Sequence, residues 1–359
     1  MTKKNAADSV MDGGGLSGEH VPMEAPEATK LLREIYGVDG QLVRLPAEKD
    51  DTFKVTVDGN PTYVLKVANP YDPEEELDFQ IQLMAHVAKK DPTIPIPKVL
   101  RSLEGKELTA IVDNAGQARK VWAITFLSGK VLDTFEINRH EREKVGEALA
   151  KIRLATAGFS HPFDSRIIAW DVKHVERLRP LLNFVENSDH KKSLEAGLDR
   201  IAILQPRIDA LRTQVLHNDF SRSNLLGDSN NPEFITGVID FGDASRTAIA
   251  VEVSTALLHH LPRDLAANPR NDIFENEKDI VRGYLRVAEL TDEELKLIPH
   301  LTMARVIARG LITTRRAQLF PYNIAYILRN TEPGWAQLEW FLARTPDEIS
   351  QTFIEFFSN

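Results

Sequence analysis

The sequence predicts an α+β fold with two lobes: a small antiparallel sheet with one main helix, and a larger, mostly helical lobe. Short apolar runs with period-two alternation and tight-turn signals fill residues 41–127. Leu127-Ser128-Gly129 then ends this pattern, and most later segments carry apolar residues at helical spacing. We therefore predict a flexible tail over residues 1–24, an N-lobe over residues 25–126 and a helical C-lobe over residues 127–359.

Composition limits the classes of protein to which the chain can belong. Its 359 residues are enough for two packed units. A net charge of -9 argues against a nucleic-acid binder, which would carry a basic face. The absence of cysteine excludes disulfides, thiolate zinc sites and a thiol nucleophile. No apolar run approaches the roughly 18 residues of a membrane span, and no secretory signal is visible. We expect a cytoplasmic enzyme, monomeric or homodimeric, without nucleic-acid or membrane partners.

The N-lobe begins with a helix over residues 26–36 and continues as strands. Alternating apolar residues over 53–57 lead into Asp58-Gly59, a strong two-residue hairpin signal, and a further strand contains Lys66. A lysine in this third strand suits contact with nucleotide phosphates, although an isolated strand lysine usually faces solvent. The loop before the second strand lacks a glycine triplet, so its backbone N–H groups and Thr52 are the candidate phosphate contacts there.

A helix follows over residues 74–89, and it carries the acids that could hold Lys66 towards the phosphates. Asp78 is the preferred partner, with Glu75 and Glu76 as alternatives. The proline-rich residues 92–97 then form an extended connector, and a hairpin around Asn114-Ala115-Gly116 completes about five strands. Backbone groups of Thr125, Phe126 and Leu127, at the lobe boundary, are expected to face the nucleotide base.

Residues 215–243 hold the polar clusters that indicate chemistry. Two short apolar runs end in His217-x-Asp219-x4-Asn224 and in Asp240-Phe241-Gly242-Asp243. Phosphoryl transfer to a hydroxyl needs a carboxylate that accepts or orients the proton, and carboxylate and amide oxygens that hold Mg²⁺ against the phosphates. Asp219, Asp240 and Asn224 supply this set in the expected order. Capping is the commoner role of such residues, but the strand context and Lys66 upstream favour a phosphotransferase site.

Helical patterns complete the C-lobe, over residues 136–157, 177–211, 251–261, 279–288, 292–320 and 335–341. Thr291-x-x-Glu294 is a capping box. Arg305 and Arg309 lie one turn apart in an otherwise apolar helix, and Arg305 could bind a substrate carboxylate or form an ion pair within the lobe. His259-His260 lacks metal-ligand spacing, and Ser221 and Ser223 lack a nucleophile elbow, so both are interpreted as structural.

Several segments resemble one known family. LHNDFSRSNLL and GVIDFGDASRT resemble the catalytic and metal-binding loops of the aminoglycoside phosphotransferase/choline kinase superfamily, which has a protein-kinase-like fold. The resemblance is strongest to its hydroxylysine kinase group, through TYVLKVANP with LDFQIQLMAHV, AGFSHPFDSRIIAWD and PYNIAYILRNTEPGW. It extends from about Ala25 to the C-terminus.

The resemblance implies a role for each central residue. Asp219 would be the catalytic base, Asn224 and Asp240 the Mg²⁺ ligands, Lys66 the phosphate contact and Asp78 its partner. His217 would support the catalytic loop. Two departures lie beside these positions, since Asn218 replaces a usual glycine and Ser221-Arg222-Ser223 replaces a run that usually contains asparagine. The donor is ATP or GTP, because members of the group differ.

The leading hypothesis is a small-molecule kinase acting on a small amino alcohol or hydroxy amino acid, with 5-hydroxylysine as the first candidate. Asp243 could receive the substrate ammonium and Arg305 its carboxylate, and Trp335 is a further candidate substrate contact. Alternatives within the enzyme class are a homoserine-, choline- or ethanolamine-type kinase, or an aminoglycoside phosphotransferase. A nucleotide-binding pseudokinase-like regulator is disfavoured because all four catalytic positions carry competent residues, and a protein kinase because no Ala-Pro-Glu segment follows Asp240.

Overall fold

The computed structural model describes residues 20–47, 49–321 and 324–357; most of the expected tail, residues 1–19, lies outside this range. A five-stranded sheet in the order β1-β2-β3-β5-β4, antiparallel throughout, forms the N-terminal part. Its strands are β1 (Gln41–Leu45), β2 (Asp51–Val57), β3 (Asn60–Val67), β4 (Thr109–Val112) and β5 (Ala118–Thr125). The predicted antiparallel sheet is confirmed.

Strand alternation gives this sheet two apolar faces. Helix α1 (Ala25–Tyr36) packs on the face that carries Val121 and Ala123. Trp122 is one position out of phase with them and therefore joins the larger core with helix α2 (Glu74–Lys90). The predicted hairpin is present at Asp58-Gly59, where both residues have positive φ, 50° and 81°.

The second part of the chain is mainly helical, as predicted. Its helices are α3 (Arg139–Thr156), α4 (Ser188–Asp209), α5 (Ile249–Leu258), α6 (Lys278–Leu285), α7 (Asp292–Leu319), α8 (Ile324–Leu328), α9 (Glu332–Leu342) and α10 (Pro346–Phe357). The capping box of Thr291 and Glu294 starts α7. Helices α3 and α6 touch through their backbones, because a Cβ on Gly146 would lie 1.8 Å from the Ile280 carbonyl oxygen. None of the described helices is long and apolar enough to cross a membrane.

Two small sheets carry the loops that contain Asp219 and Asp240. One pairs β7 (Thr213–Leu216) with β10 (Ser245–Ala248), and the other joins β6 (Lys130–Val131), β8 (Leu225–Gly227) and β9 (Ile235–Val238) in that order. The ends of β7 and β9, Leu216 and Val238, are 22 positions apart in sequence, and a contact between the next residues, His217 and Ile239, brings them together.

The structure differs from the predicted helices in three places, and one of them is the short helix α8, which no predicted helix covers. The first helical pattern within residues 177–211 is an irregular 3-10 segment, Val172–Phe184, because Pro180 removes a backbone donor inside it. Helix α10 lies beyond the predicted elements, and its buried Ile349 and Phe353 are one turn apart and pack on the main core.

Candidate active site

A histidine holds the loop after β7, which carries Asp219, beside the loop after β9, which carries Asp240. His217 Nε2 lies 3.0 Å from the Ile239 carbonyl oxygen, and the Asp219 N–H donates to His217 Nδ1 at 3.3 Å. These contacts fit one neutral tautomer, with the proton on Nε2. Burial lowers the pKa of His217 to about 4, so the ring stays neutral at physiological pH. The role predicted for His217, orienting the loop rather than reacting, agrees with this geometry.

A buried glutamate of helix α5 accepts hydrogen bonds from the backbone of the loop that carries Asp219. Glu252 Oε1 accepts the N–H groups of His217 at 2.8 Å and of Asn218 at 3.2 Å. Asn218 adopts the left-handed region with φ 62°, which asparagine tolerates better than most residues and which suits the position where glycine is usual. Sequence reasoning missed Glu252, although a single acid in the apolar helix α5 had to find buried donors.

Asp219 and Asn224 are in direct contact. Asn224 Nδ2 donates to Asp219 Oδ2 at 2.6 Å and to the Asp219 carbonyl oxygen at 3.1 Å. Burial raises the pKa of Asp219 to about 7, and the nearby carboxylates of Asp243 and Asp240 act in the same direction. A carboxyl group with this pKa can exchange a proton with a hydroxyl near neutral pH.

Asp240 and Asp243 face the same space from the second loop. Asp240 is exposed and has φ 65°, a strained conformation that the Gly242 N–H stabilises by donating to Asp240 Oδ1 at 3.1 Å. Burial, and then Asp240, raise the pKa of Asp243 to about 6. Among the described residues, no group of three His, Cys, Asp or Glu side chains could hold a metal ion. The donors present fit Mg²⁺, which takes one or two protein oxygens and completes its shell with phosphate and water.

Lys66 in β3 pairs with a different acid from the one predicted. Its Nζ lies 3.3 Å from Asp50 Oδ2 and above the Trp122 ring, 4.9 Å from the centroid. Asp78 instead lies 3.0 Å from His161 Nε2 and is about half exposed. The expected Asp78–Lys66 pair is therefore wrong in this structure, because Asp50, directly before β2, lies beside the lysine while helix α2 turns Asp78 towards His161.

The acid of α2 that is buried in the interior is Glu76, and it joins three parts of the chain. Glu76 Oε1 lies 3.0 Å from Lys49 Nζ and 2.8 Å from Arg166 Nη1. Arg166 also donates to the carbonyl oxygens of Gly242 and Ala244, within the loop that carries Asp240. Sequence reasoning missed Arg166, which lies in an irregular segment without helical or strand periodicity. This network connects the loop before β2, helix α2 and the loop after β9 that carries Asp240.

The remaining predicted nucleotide contacts lie on the sheet and at its end. Thr52 is buried and stands opposite Lys66 in the β2–β3 register. The N–H groups of Thr125 and Phe126 donate to the carbonyl oxygens of Lys98 and Thr62, both at 2.9 Å. Contact with a base would therefore involve the carbonyl groups of these residues and the backbone of Leu127.

The predicted substrate residues occupy different surroundings. Arg305 Nη2 lies 4.0 Å from Asp219 Oδ1, and Arg305 Nη1 donates to the Trp170 carbonyl oxygen. Asp243 is near enough to influence this arginine. Trp335 stacks on His190 with ring centroids 3.8 Å apart and lies against α7 at Gly310. Arg305 thus belongs to the cluster around Asp219, whereas no described contact joins Trp335 to that cluster.

Comparison with known proteins gives a family. The sequence pattern of the phosphotransferase enzyme family matches residues 41–290. A search of curated proteins gave no match to this chain.

Solved structures with the same fold are distant in sequence. A microcompartment-associated aminopropanol kinase is 19% identical, with TM-score 0.70, covering 89% of this chain and 98% of its own. An amicoumacin kinase, solved with AMP-PNP, Ca²⁺ and its antibiotic, is 18% identical, with TM-score 0.64 and coverages of 86% and 93%. A spectinomycin phosphotransferase, solved with ADP and spectinomycin, is 15% identical, with TM-score 0.61 and coverages of 89% and 100%. The predicted protein-kinase-like fold is confirmed.

Proposed function

Since the chain belongs to the phosphotransferase enzyme family, we propose that it transfers the γ-phosphate of ATP or GTP to the hydroxyl of a small amino alcohol or hydroxy amino acid. The observation that carries the proposal is the Asp219 carboxylate, fixed by the Asn224 amide at 2.6 Å and with its pKa raised by burial to about 7. Such a group can accept the hydroxyl proton as the hydroxyl attacks phosphorus.

The other roles follow from the position of each side chain. Asn224 and Asp240 would hold Mg²⁺, which shields the phosphate charge when it is bound. Lys66 would contact the phosphates, which would take the place of Asp50 as its partner. His217 keeps Asp219 in place through the loop backbone. Asp243 is available for a substrate ammonium, because it has no ion-pair partner within 4 Å among the described residues.

Within the acceptor class, 5-hydroxylysine remains the first candidate and rests on sequence resemblance alone. Similarity of fold to an aminopropanol kinase favours amino alcohols more generally. Homoserine, choline and ethanolamine belong to the same chemical class, and an aminoglycoside is a larger alternative.

A coupled assay of these acceptors, each with ATP and with GTP, tests the proposal. We expect phosphorylation of at least one small amino alcohol or hydroxy amino acid. Asp219→Asn should lower kcat by about 10³-fold, since general-base catalysis contributes about 10²–10⁴-fold, while nucleotide binding persists. Asp189→Asn, at a side chain 86% exposed, is the matched control. Full activity of Asp219→Asn, or no acceptor turned over, would refute the assignment.

A further inference from the structure

Two arginines one turn apart on α7 differ in how their charges are balanced. Arg305 is 3% exposed and has acids around it: Asp219 at 4.0 Å, and Asp243 and Asp171 close enough to raise its pKa against the lowering effect of burial. Its guanidinium is therefore already balanced by the carboxylates of the catalytic cluster. A substrate carboxylate would gain little there, so the role predicted for Arg305 has to pass to another residue.

Arg309 has no such compensation. Among the described residues it forms no ion pair with a carboxylate; Nη2 donates to Gln337 Oε1 at 2.8 Å, and Nε has no acceptor. The charges that act on its pKa are two further cations, Arg263 and Arg305. Burial, and then these arginines, lower the pKa of Arg309 to about 10. A partly buried cation without a counter-charge is unfavourable, and an anionic ligand would reduce that cost.

We infer that Arg309 binds the carboxylate of the acceptor, and that the enzyme therefore selects hydroxy acids, such as hydroxy amino acids, over simple amino alcohols. The inference rests on the proposed function and narrows its substrate class. Residues four apart share a helix face with Cβ atoms about 5–6 Å apart. An acceptor whose hydroxyl meets Asp219 could therefore place its carboxylate one turn further along α7, at Arg309.

The surroundings of Arg309 favour a carboxylate over a larger anion. Gln337 is itself fixed by donating to the Pro262 carbonyl oxygen at 3.1 Å, so it holds the guanidinium in one orientation. Nε of Arg309 is enclosed by protein, so the terminal N–H groups that Gln337 leaves free are the ones that can form a fork with a planar carboxylate. Asp219, Asp240 and Asp243 stand on the hydroxyl side of the acceptor, and they would repel a doubly charged phosphate more strongly than a singly charged carboxylate.

Matched acceptors that differ only by the carboxylate test the inference. They are homoserine with 3-aminopropan-1-ol, threonine with 1-aminopropan-2-ol, and 5-hydroxylysine with 1,5-diaminopentan-2-ol. We expect the wild-type enzyme to prefer the acid of a productive pair by about 10–100-fold in kcat/KM, the range for a charge-assisted hydrogen bond of about 1.5–3 kcal/mol. Equal use of both members, or preference for the amine, would overturn the inference while leaving the kinase assignment intact.

Variants of Arg309 locate the selectivity. Arg309→Gln should reduce the preference for the acid by about 10-fold or more, through KM rather than kcat, and Arg309→Lys should restore part of it by returning the charge without the fork. Arg101→Gln, at a side chain 71% exposed, is the control. An unchanged preference in Arg309→Gln would contradict the inference. If that variant does not fold, the matched pairs still decide with the wild-type enzyme.

Binding separates failure of this inference from failure of the proposed function. If no acceptor is phosphorylated, the kinase assignment fails. The carboxylate site can then still be tested by measuring the thermal shift of the wild-type protein with each member of the matched pairs. A Tm increase with the acid that is absent with its amine, is lost in Arg309→Gln and is partly kept in Arg309→Lys would support a carboxylate site. Equal shifts, or no shift with any acid, would reject it.

Discussion

The catalytic loops and the surroundings of Lys66 hold their functional groups in different ways. Asp219 and Asn224 lie on one short loop, fixed by backbone hydrogen bonds to His217 and Glu252. Lys66, by contrast, is positioned by an ion pair with Asp50 across 3.3 Å. The first arrangement uses buried, directional contacts to the main chain, whereas the second depends on long side chains that can exchange partners.

This difference has a physical consequence. A backbone-anchored loop loses its geometry when one buried acceptor is removed, because unsatisfied N–H groups cannot find water. In an ion pair between two side chains, by contrast, the carboxylate can be replaced by another negative charge, such as a nucleotide phosphate, without any loss of backbone hydrogen bonds. Substitution of Glu252, which anchors the loop that carries Asp219, should therefore have a large effect on stability. Substitutions around Lys66 should have small and graded effects on nucleotide binding.

Glu252 provides the largest expected effect. Glu252→Ala leaves the N–H groups of His217 and Asn218 without their acceptor, at about 1–3 kcal/mol for each buried donor. We expect the free energy of unfolding, from chemical denaturation, to fall by about 2–5 kcal/mol. Glu252→Gln keeps an oxygen acceptor and should lose much less. If Glu252→Ala were as stable as the wild type, the loop would not depend on this buried contact.

The pH dependence of stability sharpens the same point. Burial raises the pKa of Glu252 to about 7 from 4.5, so between these values the folded state holds a proton that the unfolded state releases. Its contribution is therefore present below pH 4.5 and is lost as pH rises through 7. Between pH 4.5 and pH 8 the unfolding free energy of the wild type should therefore fall by up to about 3 kcal/mol relative to that of Glu252→Gln, which has no such group to titrate. If the difference in unfolding free energy between the two proteins did not change with pH, the raised pKa of Glu252 would be contradicted.

Arg166 connects the two regions and should show an intermediate effect. Arg166→Gln breaks the contact with Glu76 and the contacts with the carbonyl groups of Gly242 and Ala244. We expect kcat/KM to fall by about 10–100-fold, with weaker apparent Mg²⁺ affinity, as for other residues that orient metal ligands. Substituting Glu76→Gln in the Arg166→Gln background should add little, because both variants break one connection. Fully additive losses would show that the two act separately.

Sequence patterns predicted the catalytic loops because their information is local. Asp219 and Asn224 are five positions apart on one loop, and the alternation of the flanking strands fixes where each loop begins. The partner of Lys66 could not be read in the same way, because it depends on how β2, helix α2 and the irregular segment around Arg166 pack together. The same reason hid Glu252, whose donors lie 34 and 35 residues away, and the different charge balance of Arg305 and Arg309.

The smallest expected effect distinguishes the observed partner of Lys66 from the predicted one. Asp50→Asn removes a negative charge 3.3 Å from Lys66 Nζ but keeps a polar group of the same size, so the lysine becomes freer to meet phosphate. We expect the KM for the nucleotide to fall by about 2–5-fold, because the phosphates no longer compete with the Asp50 charge for the lysine. Asp78→Asn alters only the contacts with His161 and Gln82, neither of which involves Lys66, and should change this KM by less than about 2-fold. A larger effect at Asp78 than at Asp50 would mean that nucleotide binding turns helix α2 towards Lys66 and restores the pairing that the sequence predicts.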